Sequence, residues 1–221
     1  MAVTDSPRRV SQRHVAATAG PRCAAYAACS ELVASPHEVD PQLALRDRLG
    51  LGRALGYAQP LDPLIAAVCG AELGQLRKEF SGLFEVGDDG PPVPIREALQ
   101  PGASVAVREE IVRFYEHFGY VLGEQFAWQP DHLSLELEFM HFLCFHEANA
   151  VDEAAALPWQ LAQADFTARH VVTWIPALAE RVGKLAPTSL YARVLAGVRD
   201  FVTADGAWQT STVSDADSRP V

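Results

Sequence analysis

The sequence predicts an all-α protein folded as a single domain, and three observations support this prediction. Apolar residues recur at helical spacing in every periodic segment, and no segment has a strong strand pattern. The apolar share of 49% consists largely of Ala and Leu, which favour helices. A chain of 221 residues can bury a sizeable core and is more typical of one domain than of two. We therefore expect one helical bundle over residues 10–205.

Helix-start signals divide the N-terminal part of the chain. Residues 1–9 are predicted to be a disordered leader, and one or two amphipathic helices follow over about 10–33. Asp-Pro pairs then combine a cap with a first-turn proline, and they predict further helices over about 41–55 and 64–84. These helices are expected to serve packing.

A long loop is predicted next, because residues 86–102 are rich in Gly and Pro. Loops of this length inside a domain are often functional or mobile, and we expect this one to be mobile. Ser104 is a plausible cap for the following helix, whose apolar stripe runs from Val107 to Leu122. A hinge loop over 123–131 then leads to the centre of the chain.

A central helix is predicted from Leu133 to about Ala150. Pro130 cannot continue a preceding helix, and Asp131 can accept hydrogen bonds from the free amides of a first turn. The run has no Gly or Pro and is much longer than a usual strand of about five or six residues. We expect a helix buried on much of its circumference, whose preceding loop presents Asp131 and His132 to solvent.

Two helices are predicted after the central one. Pro158 is expected in the first turn of the first helix, and Pro176 is expected to kink that helix or end its regular part. The last helix is predicted over about 188–203. The polar tail 206–221 is predicted to be disordered.

Charge and cysteine content restrict the partners and the compartment. With 18 basic and 28 acidic residues the net charge is −10, which argues against nucleic acid and suits a cationic peptide. No apolar run reaches the roughly 18 residues that span a bilayer, so no membrane insertion is expected. The four cysteines have no CxxC spacing and are predicted to be reduced core thiols of a cytoplasmic protein.

Glu138 and His141 have the Glu-x-x-His spacing found in di-iron sites. Such a site needs a second copy of the motif and two further Glu residues, and the sequence contains no second copy. A solvated pair on the helix edge is therefore favoured, and a helical metal-binding enzyme remains the alternative. The sequence also lacks a nucleophile elbow and a complete phosphate-binding loop. We expect no catalytic residue, no cofactor and no metal.

Asp131 and His132 have two interpretations that the residues alone leave open. One is a helix cap followed by a first-turn histidine. The other is a peptide-docking surface formed with Trp128 and Pro130 in a mobile loop. His170 is favoured as a core histidine beside an aromatic residue.

Two stretches resemble a known family. Residues 128–140, Trp-Gln-Pro-Asp-His-Leu-Ser-Leu-Glu-Leu-Glu-Phe-Met, and residues 163–176 are similar to the TorD/DmsD/NarJ group of redox-enzyme maturation chaperones. The loop over 92–97 is also similar, and the resemblance covers about 91–182. The motif at 129–132 lacks the Glu that usually precedes it, which is closer to the NarJ-like branch. The run Leu-Glu-Phe-Met-His-Phe-Leu is most similar to chaperones of the type II dimethyl-sulfoxide-reductase family.

This resemblance implies a TorD-like helical bundle in the cytoplasm, present as a monomer or a domain-swapped dimer. It implies a chaperone that binds the apo catalytic subunit of a molybdenum enzyme, often through its twin-arginine leader, and delays export until the cofactor is in place. A plain helical adaptor is the other non-enzymatic alternative. The candidate client-binding residues are Trp128, Gln129, Pro130, Asp131, His132, His170 and Trp174.

Overall fold

Helices make up most of the structure, a computed structural model that describes residues 9–87 and 90–215. Within these ranges the chain forms ten α-helices and one antiparallel sheet of two three-residue strands. The all-α prediction is confirmed. None of the described helices is both long enough and apolar enough to cross a bilayer. Two predicted segments lie partly outside the described residues: the leader at residues 1–8 and the tail at residues 216–221.

The strands and helices are numbered in chain order. Strands β1 (Arg9–Ser11) and β2 (Val213–Asp215) pair with each other near the two ends of the described chain. The helices are α1 (Val15–Val33), α2 (Pro41–Leu45), α3 (Leu51–Ala54), α4 (Leu61–Cys69), α5 (Leu73–Phe84), α6 (Val107–Phe118), α7 (Leu133–Ala148), α8 (Glu153–Phe166), α9 (Ile175–Leu185) and α10 (Leu190–Thr212).

Helix α7 is the centre of the bundle, as predicted. Its buried side chains lie on several faces, from Leu133 to Glu147, and its main neighbour is α1. Helix α1 can approach closely because it is rich in Ala and Cys. Ser30 of α1 donates a hydrogen bond to the carbonyl oxygen of Ser134 at 2.8 Å, which fixes the register of the two helices.

The two Asp-Pro signals have different outcomes. Asp40 accepts hydrogen bonds from the second and third residues of α2 and caps that helix as predicted. Asp62 lies inside α4 and does not cap it. Its carboxylate instead accepts hydrogen bonds from the amides of residues 50–52 and so holds the start of α3. The predicted helix over 41–55 is accordingly two short helices.

The helix predicted over 64–84 is also two helices. Helix α4 ends at Cys69, and Glu72 starts α5 by accepting hydrogen bonds from the amides of Gly74 and Gln75. A glutamate is a less common cap than Asp or Ser, so this start has a weak sequence signal. The break allows α4 and α5 to pack as separate elements.

Pro158 and Pro176 mark different positions from those the sequence suggests. Helix α8 already begins at Glu153, so Pro158 lies inside it rather than in its first turn. The regular helix ends at Phe166, and one π-helical turn follows before α9 begins. Pro176 is in the first turn of α9, where a missing amide costs no helical hydrogen bond. The first helix therefore ends well before Pro176, and Pro176 begins a new helix instead of kinking or ending the first one.

The C-terminal part differs from the prediction of a disordered tail after residue 205. Helix α10 continues to Thr212, and β2 then pairs with β1. The polar residues of this stretch are not all solvated: Gln209 is 1% exposed and hydrogen-bonds Asp205 and Thr167. Polar composition suggested disorder because one of these buried partners, Thr167, is 42 residues away in sequence.

A buried ion pair joins α1 to α10. The guanidinium of Arg22 donates two hydrogen bonds to the carboxylate of Asp205, at 2.7 and 2.9 Å, and both side chains are fully buried. The hydroxyls of Tyr26 and Tyr57 each donate to the same carboxylate at 2.7 Å. Burial by itself raises the pKa of Asp205, but Arg22 and the two tyrosines outweigh it and lower the pKa to about 2. The carboxylate is therefore ionised under all ordinary conditions.

We expect Asp205→Ala to lower the free energy of unfolding by about 3 to 5 kcal/mol, because it removes the carboxylate that accepts two hydrogen bonds from the buried Arg22 and leaves only Glu147, at 3.3 Å, to balance that charge. Asp200→Ala is the matched control on the same helix, since Asp200 is exposed and, within the described part of the chain, pairs only with the partly exposed Arg199. The control should cost less than about 1 kcal/mol. Urea denaturation of the two variants measures the difference. Equal losses would show that the buried pair has no special weight.

Candidate functional site

The predicted site residues of the turn before α7 are placed unequally. Trp128 is 61% exposed, whereas Gln129 and His132 are 8% exposed and Asp131 is fully buried. Pro130 is buried as well. The expectation that Asp131 and His132 face solvent is therefore wrong. Only the tryptophan presents a large surface to a partner.

Asp131 is a buried connector and not a helix cap. One carboxylate oxygen accepts a hydrogen bond from Arg96 at 2.9 Å, and the other accepts one from the amide of Ala98 at 3.1 Å. The carbonyl oxygen of Asp131 accepts from the amide of Glu97 at 2.9 Å. Arg108 of α6 approaches the same carboxylate at 3.6 Å. Asp131 thus joins the turn to the predicted mobile loop and to α6.

The predicted mobile loop over 86–102 is anchored in its second half. Val93 and Ile95 are buried in the core, and Arg96 forms an isolated β-bridge with His132. Residues Glu97–Leu99 form a short 3₁₀ helix. We call this part the 93–99 segment. Residues 88 and 89 of the loop lie outside the described residues.

His132 is the cap of α7. Its Nδ1 atom accepts hydrogen bonds from the amide and the hydroxyl of Ser134, at 3.2 and 2.8 Å. Burial lowers the pKa of His132 to about 4; the Asp131 carboxylate opposes this shift and Arg96 adds to it. The ring is therefore neutral at pH 7, as a ring that accepts at Nδ1 must be.

A second buried cluster lies behind Asp131. His170 is 1% exposed, and its Nδ1 contacts a Glu97 carboxylate oxygen at 3.0 Å. Trp174 is 5% exposed, and its indole N–H donates to Glu136 at 3.1 Å. Burial, followed by the charge of Glu97, raises the pKa of Glu136 well above its usual value. The burial of His170 and Trp174 agrees with their interpretation as core residues.

Sequence reasoning missed Glu97 and Glu136 as members of this cluster. Glu136 is a fully buried acid in an otherwise apolar part of α7. An acidic residue among apolar positions of a predicted buried helix was the available signal of a buried cluster, because a buried acid is almost always paired or hydrogen-bonded. Glu97 gave no local signal, since its partner His170 is 73 residues away.

Trp128 borders an apolar groove. The guanidinium of Arg96 lies over the indole ring of Trp128, 5.5 Å from its centre. The backbone carbonyl oxygen of Trp128 accepts a hydrogen bond from Arg108 at 2.8 Å. The groove has a volume of about 330 Å³. We call it the Trp128 groove; the apolar residues along it are Phe80, Phe84, Pro91, Pro94, Ile95 and Leu99.

The rim of the Trp128 groove is acidic. Glu38 and Glu85 line it, and Glu38 also lines an adjacent cavity of about 370 Å³ that contains Glu31 and Glu138. The arginines of the two cavities are already paired, Arg96 with Asp131 and Arg48 with Glu31. The local charge is therefore negative, which suits a basic and partly apolar ligand.

The alternative metal site at Glu138 and His141 gains no ligands from the fold. The Nδ1 atom of His141 contacts the carbonyl oxygen of Cys23 at 2.9 Å and its sulfur at 3.2 Å. Over residues 9–87 and 90–215, no three His, Cys, Asp or Glu side chains converge in a way that could hold a metal ion.

Comparison with known proteins identifies similar sequences. Residues 52–180 match the family described as nitrate reductase delta subunit. The chain is 36% identical to the chlorate reductase assembly chaperone protein of Ideonella dechloratans, over 48% of this chain and 57% of that protein. It is 35% identical to the selenate reductase assembly chaperone protein of Thauera selenatis, over 58% and 67%. It is 36% identical to the chaperone protein TorD of Vibrio cholerae, over 59% and 60%.

These alignments limit what the similarity covers. The chain spans less than two thirds of the length of the chlorate reductase chaperone and of TorD. No solved structure matches the chain.

We expect His132→Asn to remove part of the acid sensitivity of the fold. The folded pKa of about 4 lies below the ordinary value of 6.5, so the unfolded chain binds this proton first as the pH falls. The free energy of unfolding therefore decreases between pH 6.5 and 4, by about 2 kcal/mol from pH 7 to pH 5 for this ring. Asparagine can cap the helix without titrating.

Urea denaturation at pH 7 and pH 5 measures this effect. Glu136 acts in the opposite direction, because its raised pKa favours the folded state as the pH falls, but it is unchanged in the variant. The difference between wild type and variant therefore isolates His132. His117→Asn, at an exposed histidine, is the control and should retain the wild-type slope. A wild-type slope in His132→Asn would contradict the argument.

Proposed function

Since the chain belongs to the nitrate reductase delta subunit family, we propose that it is an assembly chaperone for the catalytic subunit of a redox enzyme. The resemblance to redox-enzyme maturation chaperones is confirmed by relatives that are named assembly chaperones. A chaperone binds and releases its client without chemical change. This function therefore requires neither a catalytic group nor the metal site considered at Glu138 and His141.

We further propose that the client is the apo form of a molybdenum enzyme of the dimethyl-sulfoxide-reductase family. Relatives named for chlorate, selenate and perchlorate reductases support an oxyanion reductase as the client. The protein would act in the cytoplasm, before the client receives its cofactor and is exported. It would act as a monomer or as a domain-swapped dimer, and size-exclusion chromatography distinguishes these two states.

The twin-arginine leader of the client is proposed to bind in the Trp128 groove. The observation that carries this proposal is an exposed tryptophan, held by two arginines, beside an apolar groove with acidic side chains at its rim. A leader combines arginines with an apolar run. The run fits the groove, and the arginines fit the carboxylates of Glu38 and Glu85.

Apolar contact should supply most of the affinity. Burying apolar surface contributes about 25 cal/mol per Å², whereas an exposed charge pair contributes about 0 to 1 kcal/mol. The acidic rim should therefore act mainly on the association rate and its salt dependence. Asp131 and His132 contribute indirectly, because they hold the 93–99 segment and the start of α7 in place.

We expect Trp128→Ala to weaken binding of a fluorescein-labelled peptide, with twin arginines followed by an apolar run, at least about tenfold. Aromatic anchors of this kind contribute about 2 kcal/mol or more. Fluorescence anisotropy measures the affinity, and thermal melts confirm that the fold is retained. Phe145→Ala is the matched control, since Phe145 is a half-exposed aromatic residue on α7 that lines neither cavity. Equal affinities for Trp128→Ala and the wild-type protein would remove the groove as the binding site.

Asp131→Ala is not a suitable substitution for this test. Because Asp131 is buried and paired with Arg96, its removal should destabilise the fold by several kcal/mol rather than by the loss of a cap. A loss of binding in that variant would report the structure of the groove and not a contact with the ligand.

We expect Glu38→Lys to slow association with the same peptide by about three- to tenfold at low salt, with a smaller effect on dissociation. The reason is that Glu38 is exposed, lines both cavities and makes no ion pair among the described residues. Stopped-flow fluorescence at two salt concentrations measures both rates. An unchanged association rate at low salt would show that the acidic rim does not attract the ligand.

A further inference from the structure

A second groove lies between α6 and α8, away from Trp128. It consists of two cavities, of about 660 and 360 Å³, and both are lined by Glu110 and Arg169. We call it the α6–α8 groove. The larger cavity is its apolar end, with Phe114, Phe118, Pro158, Leu161 and Ala162; the smaller is its polar end, with Glu97, Ser104, His170, Thr173 and Trp174.

The pair between Glu110 and Arg169 lies where the two cavities meet. The side chains are 2.8 Å apart and are 33% and 47% exposed. The guanidinium of Arg169 also lies over the ring of Phe114, at 5.4 Å. Because the pair is largely solvated, a ligand can displace it at little cost. The two ends can therefore accommodate one continuous ligand.

The polar end contains a buried imidazole nitrogen with an unused hydrogen-bonding capacity. The Nε2 atom of His170 has no hydrogen-bond partner among the described residues, although the side chain is 99% buried. The other nitrogen, Nδ1, contacts the carboxylate of Glu97 at 3.0 Å and is the donor in that contact. In the neutral ring Nε2 is then an acceptor, so it suits a ligand that donates a hydrogen bond.

The charge of the groove walls favours a basic ligand. Glu97, Glu110 and Asp165 line the groove, whereas Arg113 and Arg169 are its basic residues. Arg113 is already paired with Glu109 at 3.3 Å. The lining therefore has more carboxylates than guanidinium groups, and the acceptor at His170 lies among them.

We propose that the α6–α8 groove binds a peptide segment in which apolar residues are followed by a Lys or Arg side chain. The apolar residues occupy the end formed by Phe114, Phe118 and Leu161, and the basic side chain reaches His170 and Glu97. This inference rests on the proposed function, because the client polypeptide would supply the segment. It adds a second contact with the client, separate from the Trp128 groove.

The test uses two fluorescein-labelled peptides of twelve residues, each leucine-rich and amphipathic, and identical except for a lysine or a norleucine near one end. Leu161→Glu places a charge in the partly exposed apolar wall of the groove and should weaken binding of the lysine peptide at least about tenfold. Leu185→Glu, at an exposed leucine on α9, is the matched control. The control should retain the wild-type affinity within about twofold, and Trp128→Ala should weaken the lysine peptide less than Leu161→Glu does.

His170→Phe tests the polar end, because phenylalanine is of similar size and has no acceptor atom. In the wild-type protein the lysine peptide should bind about five- to tenfold more tightly than the norleucine peptide. In His170→Phe this preference should decrease to about twofold, because only Glu97 remains to contact the lysine, while the norleucine peptide keeps its affinity. Circular dichroism checks that the variant retains its helices. An unchanged preference in the variant would overturn the assignment of His170.

Other outcomes decide between this inference and the proposed function. If Trp128→Ala weakens the lysine peptide and Leu161→Glu does not, the peptide binds the Trp128 groove, and the second groove is overturned while the proposed function stands. No measurable binding to the wild-type protein also overturns the second groove. Conversely, the wild-type protein could bind the lysine peptide and fail to bind the twin-arginine peptide. That result would contradict the proposed leader site and leave the second groove in place.

Discussion

The carboxylate of Asp131 holds together the parts of the chain on which the candidate site depends. It bonds Arg96 and the amide of Ala98, and it lies within 3.6 Å of Arg108 on α6. The same two arginines contact Trp128, one under its ring and one at its carbonyl oxygen. A buried carboxylate without these donors would be strongly unfavourable, so the turn, the 93–99 segment and α6 must come together when the chain folds. The exposed tryptophan is therefore presented from a fixed base.

Two clusters of buried titratable groups among the described residues, besides Asp131, have different roles. The Arg22 and Asp205 cluster joins the first and last helices, and its groups stay ionised. The second cluster contains Glu136 and lies close to His132. Burial raises the pKa of Glu136 and lowers the pKa of His132. His132 is therefore neutral near pH 7, and burial shifts Glu136 towards its protonated form. Because acid lowers the contribution of His132 to stability and raises that of Glu136, the two effects partly cancel.

Local rules predicted the elements well and their partners poorly. Helical spacing identified α6 and the buried α7, and Asp40 caps α2 as its sequence signal indicated. The end of α10 was missed because Gln209 looked like a tail residue, and its partner Thr167 is 42 residues away. Asp131 was misplaced for the same reason, since its ligand Arg96 is 35 residues away. A single sequence shows which residues can cap a helix or become buried. It does not show which distant group will form hydrogen bonds with them. Trp128 is exposed, and its role as a binding residue stays a prediction.

The 93–99 segment is the common wall of the two grooves. Arg96 is in an extended conformation, with φ −127° and ψ 136°, so its side chain and that of Glu97 point to opposite sides. Arg96 lines the Trp128 groove, and Glu97 lines the polar end of the α6–α8 groove. A ligand that engages His170 and Glu97 would therefore act on the same short segment that supports Trp128. For a long client, two moderate contacts joined by one chain give tight binding through effective concentration, and release needs only one contact to weaken. That arrangement suits a protein that must hold its client firmly and still let it go.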